Sequence, residues 1–112
     1  MSIGEKCKHI SKPLEIGFDA GLGKDYDRAV VYQKNLNWEL TPNTLNMLFR
    51  HQVWLLSLLT MRPNSVFSSD LVNFHVATLE TLSNFMYEYG FISPNLNNDI
   101  YNYLYCIYNH FE

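Results

Sequence analysis

Two short groups at opposite ends of the chain hold the side chains with the widest chemical range: Cys7-x-His9 and Cys106-x-x-x-His110. Two thiolates and two imidazoles make a tetrahedral zinc donor set, and the four-residue step from Cys106 to His110 puts both on one face of a helix. The plainer interpretation has more behind it. Cys-x-His is not a common zinc knuckle spacing, a free cysteine often serves as a small buried apolar side chain, and a histidine in a last turn suits the negative end of a helix. The expectation is no metal and no cofactor. Two cysteines are also too few for a disulfide scaffold and point to a reducing cytoplasm.

The run Gly17-Phe-Asp-Ala-Gly-Leu-Gly-Lys-Asp-Tyr-Asp27 has the look of a phosphate loop. Such a loop needs a glycine five residues before the Gly-Lys pair and a hydroxyl after it. Phe18 and Asp25 occupy those positions, and a carboxylate would repel the phosphates. The dinucleotide pattern fails at Tyr26, and the alternation of a calcium loop fails because Gly21 and Gly23 follow Asp19 at the next two ligand positions. The glycines are expected to make a bend.

Catalytic signatures are missing: there is no Gly-x-Ser-x-Gly, no His-Glu-x-x-His and no flanked nucleophilic cysteine. Arg50, His51 and His75 could form an unfamiliar site, but core-edge histidines with a polar partner are the commoner arrangement. The C-terminal run Tyr101-Asn-Tyr103-Leu-Tyr105-Cys-Ile-Tyr108 is better suited to recognition. Its apolar stripe accounts for half of the aromatics, leaving Tyr101, Tyr105 and Tyr108 on a flank as candidate partner-binding residues. Stacking on single-stranded nucleic acid would need a cationic groove, and this segment holds no Lys or Arg.

The charge distribution narrows the partners further. Residues 1–40 are balanced, whereas residues 41–112 carry only Arg50 and Arg62 against Asp70, Glu80, Glu88, Asp99 and Glu112. With 17% charged residues and 47% hydrophobic ones over 112 positions, the surface is weakly guarded against association. No basic patch suits a phosphate backbone. No apolar stretch is long enough to span a bilayer, and the N-terminus lacks a signal core.

These side chains must be positioned by helices. Residues 1–24, with four of the five glycines and Pro13, read as an irregular N-terminal arm. Residues 25–112 read as one helical domain, opening with a weaker helix over 25–37 that Ala-Val-Val-Tyr makes β-prone as well. Thr41-Pro42 caps a long helix ending near Arg62, apolar on nearly every side and so expected at the centre. A second long helix starts at Ser68 or Ser69, follows Leu71, His75, Leu79, Leu82, Met86 and Tyr89, and ends at Gly90. Ser93-Pro94 opens a third, with Ile100, Tyr103, Leu104, Ile107 and Phe111 as its core. The fold class expected is mainly α, a small antiparallel bundle.

The functional expectation is a non-enzymatic protein–protein interaction module: an immunity- or antitoxin-like inhibitor, a secretion chaperone or a phage-type inhibitor of a host protein. Mild acidity suits a basic target such as a toxin or nuclease. The alternative is a homodimeric transcriptional regulator touching DNA through Lys6, Lys8, Lys12, Lys24, Arg28 and Lys34, although six acids balance those cations.

Overall fold

The computed structural model describes residues 2–24, 31–33, 38–62 and 66–110. Four helices dominate: α1 (Ile3–Leu14), α2 (Pro42–Thr60), α3 (Val66–Glu88) and α4 (Pro94–His110). A short 3-10 turn (Gly17–Ala20) follows α1. A two-stranded hairpin, β1 (Val31–Gln33) with β2 (Trp38–Leu40), precedes α2. The hairpin is antiparallel, pairing Val31 with Leu40 and Gln33 with Trp38. No helix among the described residues is long and apolar enough to cross a membrane.

Each helix packs on two neighbours, α1 on α2, α2 on α3, α3 on α4 and α4 back on α1. Cross-links set the directions. Gly4 lies against Thr60 and Met61 at the far end of α2, His75 meets Gln52, Ser83 meets Asn97, and Cys7 meets Cys106. Neighbours therefore run antiparallel around a ring, which is the expected mainly helical bundle, with the corner beside the three long helices supplied by a different segment from the one over 25–37.

That corner is α1, and it corrects the irregular arm over residues 3–14. Ser2 Oγ accepts the Glu5 amide at 3.1 Å, Glu5 lies in the positive first turn and Lys12 in the negative last turn. Ile3, Cys7, Ser11 and Leu14 recur at helical spacing and are buried. The two supposed breakers do not prevent the helix: Gly4 sits in the first turn, and Pro13, inside the helix, forgoes the bond to the His9 carbonyl one residue before the helix ends at Leu14.

The helix expected over 25–37 is also corrected. Residues 31–33 are extended, in keeping with the β-branched and aromatic bias of Val31-Tyr32; residues 25–30 and 34–37 lie outside the described residues. Ser68 and Ser69 are inside α3 rather than capping it, because the helix already starts at Val66.

The other punctuation acts as expected. Thr41 Oγ1 accepts the Thr44 amide at 3.3 Å, and Ser93 Oγ accepts the Leu96 amide at 3.1 Å. Gly90, at φ 77°, closes α3 with bonds from the Phe91 amide to the Met86 carbonyl and from the Gly90 amide to the Tyr87 carbonyl, a Schellman cap.

One contiguous core runs through all four helices. Leu45, Phe49, Val53, Leu56 and Thr60 give the inner face of α2, and Leu96, Ile100, Tyr103, Leu104 and Ile107 that of α4. The buried face of α3 is Val72, Val76, Leu79, Ser83 and Met86. Leu71, His75 and Leu82 are half-buried, and Tyr89 is exposed. Phe111 lies outside the described residues. Tyr103 reaches across the core from α4 towards Ser57 and Thr60 of α2. Its Oη and Ser57 Oγ are both buried and, among the described residues, neither meets a partner in full hydrogen-bond geometry, although the Ser57 and Thr60 hydroxyls lie close enough to act on Tyr103. Burial pushes the Tyr103 hydroxyl up to about 12, against smaller opposing effects of the nearby hydroxyls.

Candidate functional site

The glycine run is a bend with a packing role. Phe18, at the position where a phosphate loop needs glycine, is a core residue stacked on Phe49, with ring centroids 6.1 Å apart. Its amide donates to Asn46 Oδ1 at 2.8 Å. The chain then runs beside the α3–α4 turn, with Gly23 N–H donating to the Phe91 carbonyl and Ser93 N–H to the Gly21 carbonyl. A Cβ on Gly23 would meet the Gly90 carbonyl oxygen at 2.1 Å, so only glycine allows this backbone-to-backbone approach.

Arg50, His51 and His75 are not gathered into one site. Arg50 Nε donates to the Glu15 carbonyl at 3.1 Å and ties α2 to the end of α1. His51 stacks on Trp54 at 5.9 Å between ring centroids. His75 Nδ1 lies 2.9 Å from Gln52 Oε1, with Phe74 at its ring edge. Each histidine has the kind of polar or aromatic neighbour a structural side chain keeps.

The tyrosines divide. Tyr105 and Tyr108 are exposed, at 61% and 46%. Tyr101 is half-buried, donates its hydroxyl to Asn84 Oδ1 of α3 and contacts the Tyr105 ring. Among the described residues, this hydrogen bond ties Tyr101 into the bundle.

Sequence reasoning missed the outer face of α2. Its expected place at the centre is corrected by the ring: with four corners, each helix keeps a side that no other described helix covers. Met47, Leu48, Trp54 and Leu58 lie on that side, with Met47 70% and Trp54 50% exposed. From Met47 to Leu58 the ridge is about 16 Å long. An open cleft of about 720 Å³ lies along it, lined by Glu15, Thr44, Met47, Leu48, Arg50, His51 and Trp54. The signal was present as the all-round apolarity of residues 45–59, but that pattern also fits a fully buried helix.

Cys7 and Cys106 form a disulfide joining α1 to α4, with Cα atoms 5.9 Å apart. His110, one turn beyond Cys106, brings a ring nitrogen into the same cluster, where the donor atoms of all three residues lie within 4.8 Å of one another. His9, two residues from buried Cys7, is exposed and borders a different depression with Pro13 and Asp99. Three of the four residues singled out by spacing therefore converge. Lys6, Lys8 and Lys12 are exposed along α1, and Lys24 is exposed beyond it. Asp25, Asp27, Arg28 and Lys34 lie outside the described residues.

Comparison with known protein families, curated proteins and solved structures gave no match for this chain.

Proposed function

We propose that this chain is a non-enzymatic protein–protein interaction module that docks a protein partner on the outer face of α2. The observation that carries the reading is the ridge of Met47, Leu48, Trp54 and Leu58, large apolar side chains held in water by a helix whose other side is fully packed. Contiguous apolar surface of this kind favours association, and Trp is the residue most enriched among binding hot spots. Tyr105 and Tyr108, with the partly spent Tyr101, form a second face on α4 that we assign a lesser share of binding. The acidic balance of residues 41–112 favours a basic target, as for an immunity- or antitoxin-like inhibitor; a chaperone client would use the same apolar ridge. The proposed setting is the cytoplasm, where Cys7 and Cys106 would stand mainly as thiols.

The test is photo-crosslinking in the producing cells from a photoreactive residue at position 54. One discrete adduct with another protein, competed by untagged wild-type chain but not by Leu58→Glu, supports the reading. An adduct with a second copy of the chain instead moves the face to the homodimer of the regulator alternative. No adduct from position 54, with a discrete one from an unrelated surface position, contradicts the assignment.

A further inference from the structure

We propose that Cys7, Cys106 and His110, once the disulfide is reduced, bind a single soft divalent cation of the Zn2+ type between α1 and α4. The donors already stand together: two sulfurs and an imidazole nitrogen lie within 4.8 Å of one another. A tetrahedral zinc with Zn–S bonds of roughly 2.3 Å holds its two sulfurs roughly 3.7 Å apart, so the sulfurs, bonded to each other here, must swing apart after reduction by side-chain rotation from Cα atoms that stand 5.9 Å apart. The elements enforce the arrangement. Cys106 and His110 share one face of α4 through their four-residue spacing, and Cys7 faces them from the antiparallel α1, fully buried.

Two thiolates and an imidazole select zinc over magnesium or calcium, which take oxygen donors. Three protein donors leave the fourth position to water. His9 takes no part, so the donor set is not the two-plus-two pattern that the spacing suggested.

The two states exclude each other chemically. An external dithiol reduces the disulfide: the S–S bond breaks, two electrons and two protons pass to the Cys7 and Cys106 sulfurs, and the reductant closes its own disulfide. Metal binding then releases the two thiol protons as the Zn–S bonds form. The first and last helices are thus clamped in both conditions, by a covalent bond when oxidised and by the cation when reduced.

The test uses the full chain, reduced with a phosphine under nitrogen and titrated with Zn2+ against a chelating dye. One equivalent should bind, with a rise in melting temperature, and Co2+ should give thiolate charge-transfer bands with d–d bands of tetrahedral intensity. The disulfide form should bind none. His110→Ala, a change at the end of a helix, should weaken binding by about tenfold or more, whereas His9→Ala should leave it unchanged. Failure of the reduced chain to bind one equivalent overturns the site, as does uptake indifferent to His110→Ala.

Discussion

The outer faces of α2 and α4 are both exposed and both carry large side chains, yet they make unlike demands on water. The α4 face presents Tyr105 and Tyr108, whose hydroxyls water can satisfy. The α2 face presents Met47, Leu48, Trp54 and Leu58, which have almost nothing to offer water. The two helices sit diagonally in the ring, so the faces belong to different sides of the bundle. The difference teaches that aromatic content alone is a poor guide to a docking surface; what matters is how much apolar area is left without cover.

The two faces differ first in what holds them in place. α4 is tied to α1 by the Cys7–Cys106 bond across 99 residues, whereas α2 has no such link. Replacing both cysteines by alanine should lower stability by about 2–5 kcal/mol in a denaturant melt. In hydrogen exchange, protection should fall first in α1 and the C-terminal half of α4, with the middle of α2 spared. Equal loss across both helices would remove this distinction.

Tyr103 links the two sides through the core, and its effect depends on pH. Its folded-state pKa of about 12 lies above the ordinary tyrosine value of 10.0, so the stability it contributes is fully present below pH 10. Between pH 10 and about 12 the unfolded chain loses the proton while the buried hydroxyl keeps it. Stability should therefore fall across that window by about 2–3 kcal/mol more in the wild type than in Tyr103→Phe, compared by urea melts at each pH. Parallel pH profiles for the two proteins would show that this hydroxyl is not shielded.

Within α2 itself, Phe49→Ala on the inner face should cost about 3–5 kcal/mol of stability. Trp54→Glu on the outer face should leave the melting temperature within a few degrees while weakening partner binding by about 2 kcal/mol or more. The smallest effect is expected on α4, where Tyr105→Glu or Tyr108→Glu should lower binding by about 1 kcal/mol. Tyr101→Phe should chiefly lose the bond to Asn84, a change of about 1 kcal/mol in stability.

How much of this was legible varies with the range of the physics. Thr41-Pro42, Ser93-Pro94 and Gly90 act within one turn of themselves, and each marks a helix end as its chemistry dictates. Gly4 and Pro13 misled for different reasons: Gly4 sits in the first turn of α1, and Pro13 forgoes one bond only a residue before the helix ends, too late to prevent it. Missing α1 then placed α2 at the centre, covered by the other two long helices and the N-terminal segment, instead of at one corner of a four-helix ring. The docking ridge was hidden for the same reason, since Phe49 and Trp54 differ in where the neighbours stand rather than in type. The disulfide was illegible because it needs α1 and α4 side by side before Cys7 can meet Cys106.

The most direct measurement is the affinity of the crosslinked partner for Trp54→Glu and Tyr105→Glu, determined side by side by calorimetry on folded protein. The account predicts a loss of about thirtyfold or more for Trp54→Glu and of about tenfold or less for Tyr105→Glu. Unchanged affinity in Trp54→Glu, or the reverse order, would contradict the claim that the outer face of α2 is where this protein meets its partner.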